Sequence, residues 1–212
     1  MINRGYYFKE ILPDAVIGGC INIFENAWPN SADTISSLEE LCKDPDSGVN
    51  WHRATTIANN GSGTISEHRT NFDLGITQYL GLNNSDALIN THNQMYTLIN
   101  QTVTSYCQRY GIHEPFWHEP YNILKYSTGH EYKPHYDGST TGHRHISCII
   151  YLNDDYEGGE LEFPNFNVKL KPQAGMMVVF PSNFAYTHIA KPVTSGTKYA
   201  LVTWLHDCPE GL

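Results

Sequence analysis

His135, Asp137, His188 and Lys198 are the residues whose types and order could do chemistry in this chain. A His-x-Asp pair on an extended strand sends both side chains to one face, because strand side chains alternate with a period of two. A third imidazole from a distant strand, 51 residues beyond Asp137, completes one triangular face of an octahedral metal. Two imidazoles and one carboxylate so arranged suit non-haem Fe(II) and leave three positions open for further ligands. The ligands must be neutral imidazoles and an ionised carboxylate, so metal binding is expected to fail in acid. With 11 histidines in the chain, an HxD alone is a weak signal, and its surroundings decide.

Lys198 is the second anchor. It sits in Lys198-Tyr-Ala-Leu-Val-Thr-Trp204-Leu, a run that is apolar on both parities. Such a strand is buried on both faces, where a lone lysine is costly unless it meets an anion. The alternative is a lysine at a strand start that snorkels to water. Trp204 shares parity with Lys198, so both can point to the same side.

The elements that position these residues follow from periodicity. Residues 33–42 read as a short helix, with Asp33 or Thr34 as cap and Ile35, Leu38 and Leu41 on one side. Residues 86–110 read as a long helix, capped by Ser85 and ended by Gly111, with a Met and aromatic stripe packed on a sheet. From 115 onward the pattern turns to strands: Tyr121–Tyr126, His145–Leu152, Leu161–Phe163, Val168–Leu170, Met176–Phe180 and Lys198–Leu205. Turn clusters at Asn153-Asp154, Gly158-Gly159 and Ser195-Gly196 separate them. Helices followed by many antiparallel strands predict a mainly β, α+β jelly roll with helices outside. Residues 47–84, rich in Asn, Gly, Ser and Thr, are expected to hold short strands and loops near the site. At 212 residues the chain fits one domain (1–212), with a helical and loop support region at 1–114 and a catalytic core at 115–208.

The residues around the HxD pair carry a resemblance. They run Tyr126-Ser-Thr-Gly129-His-Glu-Tyr132-Lys-Pro-His135-Tyr-Asp137, then Tyr151-Leu152-Asn153-Asp154 and Gly158-Gly159-Glu160-Leu161. Lys171-Pro172, Phe180-Pro181, His188 and Gly196-Thr-Lys198-Tyr-Ala with Trp204 follow. In order and spacing this series resembles the catalytic domain of the prolyl 4-hydroxylases, a branch of the 2-oxoglutarate and Fe(II)-dependent dioxygenases. Upstream the likeness thins to Arg69-Thr70 and the long helix.

The resemblance implies a double-stranded β-helix in which His135, Asp137 and His188 hold Fe(II). It implies that Lys198 and Tyr126 meet the C5 carboxylate of 2-oxoglutarate, with Trp204 in the same pocket. Arg144 would face a peptide, and Glu160 would either shape its turn or line the groove. Gly129 and Tyr132 would position the loop that delivers His135. The implied reaction hydroxylates a peptidyl proline at C4 while O2 converts 2-oxoglutarate to succinate and CO2, with ascorbate as a further cofactor. Another protein side chain or a small molecule is the alternative substrate. A rival class is a cupin-like metal- or sugar-binding barrel, for which His143 and His145 offer an HxH pair. That reading lacks the downstream histidine it needs after Gly175.

Composition bounds the partners. A net charge of −9 and a sequence pI near 5.6 argue against nucleic-acid binding, which needs a basic face. An oxygenase acting on nucleic-acid bases is disfavoured for the same reason. The N-terminus shows no apolar signal region, and no apolar run approaches the roughly 20 residues of a membrane span. Five cysteines without CxxC spacing read as reduced thiols in a cytoplasmic protein. The sequence leaves the oligomeric state open.

Overall fold

Alternation along two long strands organises the fold. The computed structural model describes residues 15–29, 31–57, 63–80, 85–113, 116–138 and 144–207. Thr197–His206 pairs antiparallel with Arg144–Tyr151 on one side and Asn122–Ser127 on the other. Leu201 and Leu205 point into one hydrophobic core, whereas Lys198, Ala200, Val202 and Trp204 point into a cavity on the opposite face. Arg144–Tyr151 divides likewise: Ile146 and Ile150 lie in that core, and Ser147, Ile149 and Tyr151 line the cavity.

The major sheet runs in the order Ala15–Gly18, Ile21–Phe24, Met177–Pro181, Arg144–Tyr151, Thr197–His206, Asn122–Ser127, Phe72–Gly75, His52–Arg53. Trp117–His118 pairs with the far end of Thr197–His206. A smaller sheet is ordered Val168–Leu170, Leu161–Phe163, His188–Ala190, Tyr132–His135. The two sheets enclose a second core of Ile21, Leu161, Phe163, Val178 and Phe180, giving the jelly roll expected from the sequence.

The helices brace the outer face. Asp86–Tyr110 begins at Ser85, whose hydroxyl accepts the Ala87 N–H, and ends at Gly111 in the left-handed conformation, as predicted. Leu88, Met95, Ile99, Val103 and Tyr106 bury its inner face against the sheet. Each such side chain contributes about 1.5–3 kcal/mol by leaving water. The other long helix, Ser31–Lys43, starts earlier than expected. Asp33 and Thr34 lie in its first turn and do not cap it; Leu38 is fully buried, with Ile35 and Leu41 packed beside it.

Two expectations need correction. The first 114 residues are more than helix and loop, since four of the eight strands in the major sheet's row come from them. Ile21–Phe24 is buried at every position, and so lacks the alternation that reveals a half-exposed strand. The HxD pair also does not lie wholly on a strand: Tyr132–His135 ends at His135, and Asp137 stands beyond it. Other predicted strands match to within a residue at either end. Cys20, Cys42, Cys107 and Cys148 are free, and Cys208 lies outside the described residues. Among the described residues no helix is long and apolar enough to cross a membrane.

Candidate active site

Two short strands bring the histidines together. His135 and His188 are directly opposed residues of the antiparallel pair Tyr132–His135 and His188–Ala190. Their ring centroids lie 4.2 Å apart. Asp137 reaches back so that Oδ1 is 3.8 Å from His135 Nε2 and Oδ2 is 3.8 Å from His188 Nε2. One ligand atom from each residue falls within 4.8 Å of the other two, and no other such trio occurs among the described residues.

Proton placement suits a metal. His135 Nδ1 lies 2.7 Å from the Lys133 carbonyl, and His188 Nδ1 lies 3.1 Å from the Tyr186 carbonyl. A nitrogen facing a carbonyl must carry the proton, so in a neutral ring it is Nε2 that offers its lone pair toward the centre. Burial, reinforced by the neighbouring His188, lowers the His135 pKa to about 3, which keeps that ring neutral. Burial alone would raise the Asp137 pKa. Attraction to His188 and His135 whenever they carry a charge, together with hydrogen bonds from Ser147 and the Trp204 indole, outweighs it and holds the carboxyl below its ordinary range. Two neutral imidazoles and an ionised carboxylate are the donor set that a non-haem Fe(II) site requires.

The trio opens into a cavity of about 760 Å³ whose lining includes Tyr126, Tyr132, Leu161, Val202 and Trp204. Lys198 lies in the same wall and is only 2% exposed. Its Nζ donates to the Gly159 carbonyl at 2.6 Å and stands 5.0 Å and 5.4 Å from the ring centroids of Tyr151 and Tyr126. Among the described residues no carboxylate forms an ion pair with it. Burial, with the Lys171 charge adding to it, lowers its pKa to about 7. Tyr126 is the direct cross-strand partner of Lys198, so the two predicted contributors to one pocket are fixed by a single register. The lysine does not snorkel.

The remaining candidates fare differently. Trp204 lines the cavity, but its indole donates to Asp137 and its ring lies under Arg144, 3.8 Å from the guanidinium carbon. Arg144 also lines the cavity, yet its guanidinium is committed within the protein. Nε and Nη2 donate to the two Glu119 oxygens at 2.5 and 2.6 Å, and Nη1 donates to the Asp137 carbonyl at 3.3 Å. Glu160 does not line the cavity; it pairs with Lys169 at 3.5 Å, and its carbonyl accepts from the Lys191 N–H. Tyr132 stacks on His135 with centroids 3.4 Å apart, and Gly129, at φ 84°, donates to the Val193 carbonyl just before that strand. His145 pairs with Asp207 at 3.1 Å and lines no part of the cavity, while His143 lies outside the described residues.

Several participants escaped the sequence reading. Ser147 donates to Asp137 Oδ2 at 2.7 Å, and Ser182 lies 2.8 Å from Ser147. A lone hydroxyl among Ile146, Cys148 and Ile150 is the signal that could have drawn notice to Ser147. Thr55, Thr56, His68, Arg69 and Asp73 form another wall, drawn from the segment 47–84 that was expected near the site but in which none of them was singled out as a site residue.

Residues 121–206 match the family model of the 2OG-Fe(II) oxygenase superfamily. That stretch, about two fifths of the chain, is thus similar to a 2OG-Fe(II) oxygenase domain, a family named for its use of Fe(II) and 2-oxoglutarate. Over 118 residues the chain is 32% identical to a probable prolyl 4-hydroxylase 9 of Arabidopsis thaliana, covering 42% of this chain and 41% of that one. Over 146 residues it is 27% identical to a putative prolyl 4-hydroxylase of Acanthamoeba polyphaga mimivirus, covering 59% and 58%. The chain thus spans about half the length of these relatives. Its fold is shared with a Trichoplax adhaerens prolyl hydroxylase solved with a peptide of the hypoxia inducible factor oxygen degradation domain. That match has a TM-score of 0.68 at 20% identity and covers 88% of this chain and 83% of that one.

Proposed function

We propose that this protein is a 2-oxoglutarate- and Fe(II)-dependent dioxygenase that hydroxylates a peptidyl proline at C4. The observation that carries the reading is Lys198: a buried ammonium in the wall of the trio's cavity, set against a carbonyl and two aromatic rings and, among the described residues, in no ion pair with a carboxylate. A buried cation of this kind calls for an anion. The far carboxylate of 2-oxoglutarate supplies one, and the keto-acid end is then free to approach the trio.

In this reading His135, Asp137 and His188 hold Fe(II) through the two Nε2 atoms and the carboxylate. Bound Fe(II) supplies the redox chemistry by which O2 converts 2-oxoglutarate to succinate and CO2 and hydroxylates a substrate C–H bond. Lys198 and its neighbour Tyr126 orient the co-substrate. Ile149, Leu161, Ala190, Ala200 and Val202 exclude water from the pocket. Arg144, braced by Glu119 and stacked on Trp204, offers a fixed planar cation at the cavity rather than a mobile one.

An extended, proline-containing peptide fits this site class. Polyproline II segments are preformed and dock on aromatic surfaces at low entropy cost, and Tyr132 and Tyr136 both line the cavity. The names of the relatives point to the same substrate class. The test incubates the protein with Fe(II), 2-oxoglutarate, ascorbate and proline-rich peptides. Mass spectrometry should find one added oxygen atom on proline, and NMR should place it at C4. Modification confined to lysine, asparagine or a small molecule would overturn the prolyl assignment. No 2-oxoglutarate turnover with any substrate would overturn the oxygenase reading.

A further inference from the structure

Asp137 poses a positional problem. It stands two residues past the end of the strand Tyr132–His135, so no strand ladder fixes it. A carboxylate that must meet two opposed imidazoles cannot be left to an unsupported loop.

Beside the Trp204 indole on its carboxylate and Arg144 on its carbonyl, three contacts supply the support. The Gly138 N–H donates to the Ser182 carbonyl at 2.7 Å, tying the Asp137 segment to the residue that follows Met177–Pro181. A Cβ at position 138 would stand 3.0 Å from that same carbonyl, so the close approach favours glycine there. Ser147, projecting from Arg144–Tyr151, donates to Asp137 Oδ2 at 2.7 Å. Ser182 Oγ lies 2.8 Å from Ser147 Oγ, and both serines are 1% exposed.

The direction of the hydroxyl chain follows from proton counting. A serine has one O–H, and an ionised carboxylate only accepts. The Ser147 hydrogen therefore goes to Asp137, and the hydrogen between the serines must come from Ser182. The chain runs Ser182 Oγ–H to Ser147 Oγ to Asp137 Oδ2. It is closed to water at both serines, where a hydroxyl without a partner is costly.

We infer that Ser147 and Ser182 are positioning residues for the carboxylate ligand, acting as a buried two-hydroxyl brace that orients Asp137 toward His135 and His188 before any metal arrives. Ser147 is the arm and Ser182 its support. This rests on the metal reading of the trio. Partners that orient a metal's ligands are typically worth roughly 10–100-fold in affinity.

The test measures Mn(II) binding to the full chain, by EPR of the free ion, alongside the melting temperature of the metal-free protein. Ser147→Thr keeps the hydroxyl and should bind Mn(II) within about threefold of wild type, whereas Ser147→Val, of similar volume without the hydroxyl, should lose roughly 10–100-fold. Ser182→Ala should lose less than Ser147→Val. Ser147→Ala serves as a second hydroxyl-free variant in case valine perturbs packing, and it too should bind weakly while melting near wild type. Wild-type affinity in Ser147→Ala overturns the brace alone, as does affinity in Ser147→Thr as low as in Ser147→Val at equal melting temperature. A wild-type protein that binds no Mn(II) overturns the metal reading and the brace with it.

Discussion

His135 and His188 face each other across the two short strands that carry them, 53 positions apart in sequence and directly paired in register. That pairing makes the histidines one unit: replacing either leaves the other beside Asp137 without its geometric complement. His135→Ala, Asp137→Ala and His188→Ala should each reduce Fe(II)-dependent 2-oxoglutarate decarboxylation to background. His145→Ala, which loses the half-exposed pair with Asp207 and a ring contact with Phe116, should keep at least half of wild-type turnover. Succinate release measures both. An essential His145 with a dispensable His188 would move the site.

Lys198→Ala should raise the 2-oxoglutarate concentration required by roughly 10²–10⁴-fold, the equivalent of about 3–5 kcal/mol for breaking a buried charge pair. Iron affinity should stay within a few-fold, because the far carboxylate does not touch the metal. Lys198→Arg should rescue only in part, since a planar fork does not fit a cavity shaped for a point charge. Steady-state kinetics at saturating iron separate the two effects.

The same lysine gives a pH dependence of definite sign. In the ligand-free fold its pKa is lowered to about 7 by burial first and Lys171 second, below the ordinary 10.5. Between those values the unfolded chain binds the proton and the folded one does not, so this group makes stability rise with pH from about 7 to 10.5. Below about 7 the cost of burying the ammonium is carried in full. Affinity for 2-oxoglutarate should move the other way and weaken as pH rises past 7, because the anion needs the ammonium. Thermal melts and 2-oxoglutarate titrations across this range check both slopes, and Lys198→Met should flatten both.

Stability and catalysis should separate on the other face of the sheet. Ile99→Ala removes a fully buried side chain of the long helix and should cost roughly 2–5 kcal/mol. Ser85→Ala removes the cap on the Ala87 N–H and should cost about 1 kcal/mol. Neither residue lines the cavity, so 2-oxoglutarate affinity of the folded protein should hold at low temperature while denaturant midpoints fall.

The long helix was legible because its apolar residues recur at one period and its two ends carry cap residues. The strands of the core were legible because each is short, apolar and bounded by turns. Lys198 was legible as a charge in a run with no room for one. Tyr132–His135 and Ile21–Phe24 show why the rest was not. The first is a polar tetrapeptide with a proline, held as a strand by its partner rather than by its own propensity. The second is buried on both faces and shows no period. Arg144 lines the cavity, but its engagement with Glu119 joins residues 25 apart, and spacing cannot reveal such a pairing. The serine brace was hidden for the same reason, since it exists only once three separate segments converge.

The strand Thr197–His206 carries one further consequence. Its odd positions feed the helix-side packing through Leu201 and Leu205, and its even positions feed the cavity through Lys198, Ala200, Val202 and Trp204. Sliding this strand by a single residue against its neighbours would exchange the two sets, driving a lysine into the oily side and leucines into the pocket. Folding and co-substrate capture are therefore locked to one alignment. A one-residue deletion here should abolish both at once, whereas the same deletion in an exposed turn should spare them.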